Sequence, residues 1–162
     1  MRECLCARGV RFGSNVLVLE MKDTRPKASG PPGDLSPLKA IRGPLLTLHK
    51  ALVDSERVEY EKTIGKITSP NHFLQLLTND PWFAWLSPLS QLIVSIDEAL
   101  DAEDKPNQEA IDALLKEATR LLLPSETGSG FSKHYFEAIQ RDPDVVLAHG
   151  AVVQSRNHGK PK

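Results

Sequence analysis

Apolar side chains return every three or four residues along most of this chain, the period of an α-helix with one buried face. Ile41, Leu45, Leu48, Leu52 and Tyr60 mark such a face and predict a helix over residues 38–62. Gly43-Pro44 is expected to break or kink its first turn, so that the regular part begins at Pro44, and Gly65 ends it. A short helix over 70–77 would bury Phe73, Leu74 and Leu77. A turn carrying Trp82, Phe83, Trp85 and Leu86 leads into a helix over 87–100, with Leu89, Leu92, Ile93, Ile96 and Leu100 on one face. After a polar loop at 101–107, a helix over 106–123 carries Ile111, Leu114, Leu115, Ala118, Leu121 and Leu122. Residues 124–130, PSETGSG, read as a flexible loop. Two last helices follow: 131–140, with Phe131, Tyr135, Ala138 and Ile139 inward, and 143–153, with Val145, Val146, Val152 and Val153 inward.

Proline punctuates this pattern. It follows Ser or Asp at Ser36-Pro37, Ser69-Pro70, Asp80-Pro81, Ser87-Pro88 and Asp142-Pro143. Ser and Asp oxygens accept an orphan N–H at a helix start, and Pro suits the next position because its missing N–H would be unpaired there. No turn signal joins two alternating runs, so little or no sheet is expected. The reading is an all-α, single-domain bundle of five or six helices over residues 38–153. Residues 1–37, rich in Pro and Gly from 22 onward, read as a flexible, disordered N-terminal arm, and 154–162 as a basic flexible tail. Met21 opens a more ordinary beginning than Met1, so residues 1–20 read equally well as a mis-assigned start.

Charge narrows the function classes. With 20 basic and 21 acidic residues, the chain has no broad basic surface for nucleic acid. No run approaches the roughly 20 apolar residues of a membrane helix, and the short run Val16 to Leu19 is too brief for a signal peptide. The two cysteines, Cys4 and Cys6, cannot staple the body of the fold, which points to a reducing compartment and a cytoplasmic protein.

Candidate chemistry is sparse. His49, His134 and His149 lie on apolar helix faces, and Glu56 continues the stripe of His49. Two turns of one helix, roughly 10 Å, separate His49 from Glu56, so one ion cannot easily take both. Ligands would have to converge from different helices, as His49 with His134 or His149, to hold a transition metal, and no ligand motif such as Glu-x-x-His supports them. The alternative is four half-buried residues bonded to local partners. Trp82, Phe83 and Trp85 read either as a partner-binding aromatic patch or as a lock on the bend, with Trp82, Trp85 and Leu89 on one inward face. The acidic run at Asp97, Glu98, Asp101, Glu103 and Asp104 lacks the glycine and closing glutamate of a calcium loop. Ser87, Ser90 and Ser95 sit in a helix without a nucleophile elbow, and no phosphate loop occurs, so no catalytic residue is assigned.

The segments LLTLHKAL, NDPWFAWLSPLSQLIVSIDEAL and QRDPDVVLAH resemble a group of small bacterial helical proteins without an assigned function, over residues 41–150. That resemblance implies a bacterial, soluble, all-α protein and supplies no activity, cofactor or site residue. Two functions are therefore expected. The first is a non-enzymatic module that binds a protein partner or itself, as in a homodimer, with no nucleic acid, membrane or cofactor. The second is a metal- or cofactor-holding bundle acting as a sensor or oxidoreductase.

Overall fold

The stripe on the first long helix runs without a break. In the computed structural model, which describes residues 31–158, α1 spans Ser36–Thr63 and buries Leu38, Ile41, Leu45, Leu48, Leu52, Ser55, Glu56 and Tyr60. Pro44 lies inside it. The expected break at Gly43-Pro44 does not occur, because the apolar residues on both sides of Pro44 enter the same core. An interior proline costs a helix about 3 kcal/mol. Burying Leu38, Ile41 and Leu45 at about 1.5–3 kcal/mol each outweighs that cost.

Five more helices follow: α2 (Pro70–Asn79), α3 (Ser87–Asp101), α4 (Gln108–Leu121), α5 (Phe131–Arg141) and α6 (Pro143–His158), with a 3₁₀ turn at Ala84–Leu86. No strand occurs among the described residues, which hold only an isolated bridge between Pro32 and Asn107. The protein is a single all-α domain. Helix α3 runs back along α1, pairing Arg42 with Asp97 and His49 with Ser90. Helix α6 runs back along its other side, beginning where Arg141 meets Ser55 and Glu56. Helix α4 packs on α3, and α5 folds onto α6 through the single joint residue Asp142.

Local chemistry sets the joints. Ser69 accepts from the His72 N–H at 3.1 Å, and Asn107 accepts from the Ala110 N–H at 3.0 Å. Asp80 and Asp142 each accept the N–H two residues on, at 2.9 Å. Ser36 and Ser87 depart from the expected pattern: both lie inside the first turn of their helices rather than capping them.

Several expectations are corrected. Leu74 is 62% exposed and Val146 45% exposed. A step of about 100° per residue carries each onto the flank of a face set by Phe73 and Leu77, or by Val145, Ala148 and Val152. The last helix continues to His158, because residues 154–158 contain nothing that stops a helix. The loop at 124–130 is a bonded turn, in which the Ser125 N–H donates to the Ser132 carbonyl at 3.1 Å. The expected arm is anchored at its end: the Gly33 N–H donates to the Pro106 carbonyl at 2.9 Å and the Asp34 N–H to Gln108 Oε1 at 3.1 Å. Residues 1–30 and 159–162, including Cys4, Cys6 and Met21, lie outside the described residues.

Gly33 is needed for that anchor. A Cβ there would meet the Gln108 N at 2.8 Å and Cα at 2.9 Å, backbone atoms that cannot move aside. Gly33→Ala should therefore lower stability by about 1–3 kcal/mol in urea unfolding. Gly150 lies in α6 with open space around its Cα, so Gly150→Ala should raise stability by about 1 kcal/mol. A neutral Gly33→Ala would show that residues 32–35 are not held against α4.

Candidate functional site

The polar side chains within the bundle pair with one another between helices. His49 projects from α1 toward α3, where its Nε2 lies 2.8 Å from Ser90 Oγ. Ser90 donates its own proton to the Leu86 carbonyl at 3.3 Å, so His49 is the donor in this pair. A hydroxyl bonded back to its own helix is not a free nucleophile. On α6, His149 Nδ1 lies within hydrogen-bond distance of the Tyr135 hydroxyl, at 2.6 Å, joining α6 to α5. Tyr135 is fully buried, and that burial pushes its phenol well above its ordinary range. Burial lowers the pKa of both His49 and His149, with Arg156 adding to the effect at His149.

The other two candidate ligands face elsewhere. His134 stacks on Trp85 with ring centroids 5.3 Å apart, and its Nδ1 lies 3.6 Å from Glu137. Glu56, 7% exposed, accepts from Arg141 Nη2 at 2.6 Å, while Ser55 accepts from the same nitrogen at 3.1 Å. The convergence that a metal site at His49, Glu56, His134 and His149 would need does not occur. His49 faces α3, Glu56 faces the end of α5, His149 bonds Tyr135 and His134 rests on Trp85. Among the described residues no group of three or more His, Cys, Asp or Glu side chains is placed to hold a metal ion.

The aromatic candidates also part company. Phe83 is 1% exposed and stands between Tyr60 at 5.5 Å and Phe73 at 5.9 Å. It belongs to the core, not to a contact surface. Trp82 meets Tyr60 edge-on at 5.8 Å, whereas Trp85 packs on Phe131 at 5.5 Å. The shared face expected for Trp82 and Trp85 assumed α-helical geometry. The chain here is a turn followed by a 3₁₀ turn, which sends the two indoles into different clusters. Both indole nitrogens are buried without an acceptor among the described residues, and each such group costs about 1–3 kcal/mol.

Sequence reasoning missed the seam between α1 and α6. A cleft of about 430 Å³ opens there, lined by Ala51, Ala148, Ala151, Thr47 and Leu147. Lys50, Asp54, Asp142 and Asp144 rim it. Leu147 is 72% exposed, the highest value among the exposed large hydrophobic residues. The chain carries only a weak signal for it: Leu147 falls on the side of its helix away from Val145 and Val152, among Pro143, Asp144, Gly150 and Ala151.

Two outcomes follow from the interior pairs. Arg141→Met strands the Glu56 carboxylate and should cost about 2–3 kcal/mol in urea unfolding, while Glu56→Gln, which keeps an acceptor, should cost less. Equal losses would show that charge, not stranding, governs the pair. The two histidines with lowered pKa bind fewer protons folded than unfolded below the ordinary value of 6.5. Their contribution is complete above that value and is lost as pH falls below it. Urea midpoints between about pH 5 and pH 8 should therefore fall on the acid side, and His49→Gln with His149→Asn should flatten the slope.

No family model matches this chain, and no curated protein and no solved structure matches it either.

Proposed function

We propose that this protein is a non-enzymatic helical interaction module whose docking surface is the cleft between α1 and α6. The observation that carries the reading is Leu147, held 72% exposed in a cleft lined by alanines and within a charged rim. A concave apolar centre with a polar edge is the anatomy of a protein interface. The site expected at Trp82, Phe83 and Trp85 moves to this cleft, since Phe83 is buried and both indoles pack against the core.

The chemistry elsewhere supports the same reading. Ser90 and Tyr135 bond to histidines, and Glu56 to Arg141, in contacts between helices. No helix among the described residues is long and apolar enough to cross a membrane. The cytoplasm is the proposed compartment, on the placing of both cysteines within the first six residues.

A photo-crosslinking residue placed at 147 in the cell-expressed protein tests the reading, with the same residue at 123 as control. Leu123 is comparably exposed, at 63%, but lies outside the cleft. A discrete adduct is expected from 147 and not from 123. Absence of any adduct at 147, or equal smears from both positions, would sink the proposal.

A further inference from the structure

We infer that the occupant of the α1/α6 cleft is a basic amphipathic helix of a partner protein, seated with an aliphatic side chain beside Leu147 and the alanines and a Lys or Arg against the carboxylates. The inference rests on the reading of that cleft as a docking surface. The charge of its rim narrows the occupant. Asp54, Asp142 and Asp144 line it, and Lys50 is the one cation among the described residues that do. Lys50 pairs with Asp54 at 2.5 Å, which leaves Asp142 and Asp144 without a counter-charge among those residues. Arg141, next along the chain from Asp142, is held by Ser55, Glu56 and Glu59. An acidic partner would set like charges against each other here, and a basic partner supplies the missing sign.

The charged and apolar lining residues lie at different ends. Arg141 lies against Ser55 and Glu56 and the two helices run antiparallel, so Asp142 and Asp144 stand level with Asp54, Leu147 with Lys50 and Ala151 with Thr47. The carboxylates are therefore at the end where α6 begins, and Leu147 and the alanines extend away from them. Asp144 and Ala151 are two turns apart, about 10 Å. A groove walled by two helices takes a third along its length, and side chains two turns apart on that third helix meet its two ends. Strand addition has no place here, because no strand occurs among the described residues. A metal ion does not fit the acidic end either, since no three ligand side chains among the described residues are placed to hold one. Separate cationic side chains pair with separate carboxylates without that convergence.

Selection from a phage-displayed library of helix-forming peptides, each about four turns long, against the immobilised full chain tests this. Binders are expected that carry net positive charge and place a Lys or Arg two turns from an aliphatic residue. Leu147→Asp should weaken the selected peptides by about 10-fold or more, and circular dichroism should show the variant still folded, because the side chain is exposed. Asp144→Lys should weaken them by about 5-fold, and a peptide with Glu in place of its basic residue should regain affinity for that variant. Neutral or acidic binders, basic binders indifferent to both substitutions, or no binder at all would overturn the inference. So would a crosslink from position 147 to a second copy, to residues 1–30 of the same chain, or to a segment of another protein without Lys or Arg. In each of those crosslinking outcomes the docking surface stands and only its occupant is wrong. Absence of a discrete adduct at 147 removes the docking reading and this inference together.

Discussion

A helix of 28 residues that turns Leu38, Ile41, Leu45, Leu48, Leu52 and Tyr60 to one side needs cover along its whole length, about 42 Å. No other helix among the described residues is that long, so the cover is assembled from pieces. Helices α3 and α6 lie antiparallel along the two edges of the stripe, and the 3₁₀ turn closes the end near Tyr60 through Phe83. This demand explains why Pro44 is tolerated. Breaking the helix at Gly43 would detach Leu38 and Ile41 from the face they share with Leu45 and Leu48. It also explains why α2, which has no fully buried residue, is the most peripheral of the six.

Apolar contact is not directional, so something else must set how far each helix slides along α1. The pairs between helices do this. Arg42 meets Asp97 and His49 meets Ser90: seven residues later on α1 is seven residues earlier on α3. Two such pairs, two turns apart, allow only one antiparallel register. Arg141 does the same for the start of α6 by bonding Ser55 and Glu56, and Tyr135 with His149 holds α5 to α6. Arg42 and Asp97 are largely exposed and cost little when parted, but each of the more buried groups left without its partner costs more than its bond contributes. A slip of one residue would strand several at once.

Much of this architecture was legible in the chain because it follows from local physics. The period of the apolar residues depends only on helix geometry, and the caps at Ser69 and Asp142 depend on atoms within three residues. Glu56 was rightly placed on the buried stripe, yet its partner Arg141 lies 85 residues away, and no spacing rule reaches that far. Whether the histidines converge is not legible in the sequence for the same reason. Helix position along the chain shows which face a side chain occupies, and the rotation and slide of the neighbouring helix decide what it meets. The anchor at Gly33 was hidden because proline and glycine favour loose chain and close backbone approach alike. Only Ile111 and Gln108, far along the sequence, decide between them.

The cleft is a consequence of how tightly the two halves of the bundle are joined. Alanines at 51 and 148 let α6 lie close against α1, which serves the core by bringing Val145 and Val152 into the same apolar cluster as Leu48 and Leu52. The same small side chains cannot roof the seam they create, so a depression remains on the outer surface wherever they line it. A polar residue at 147 would have left that depression a solvated crease. Leucine there adds an apolar edge that the fold itself does not use, since the side chain stands 72% exposed. Leu74 and Leu123 are exposed as well, but they lie outside this cleft. The residue with no role inside the fold thus sits at the place where the packing of the fold leaves room for a partner.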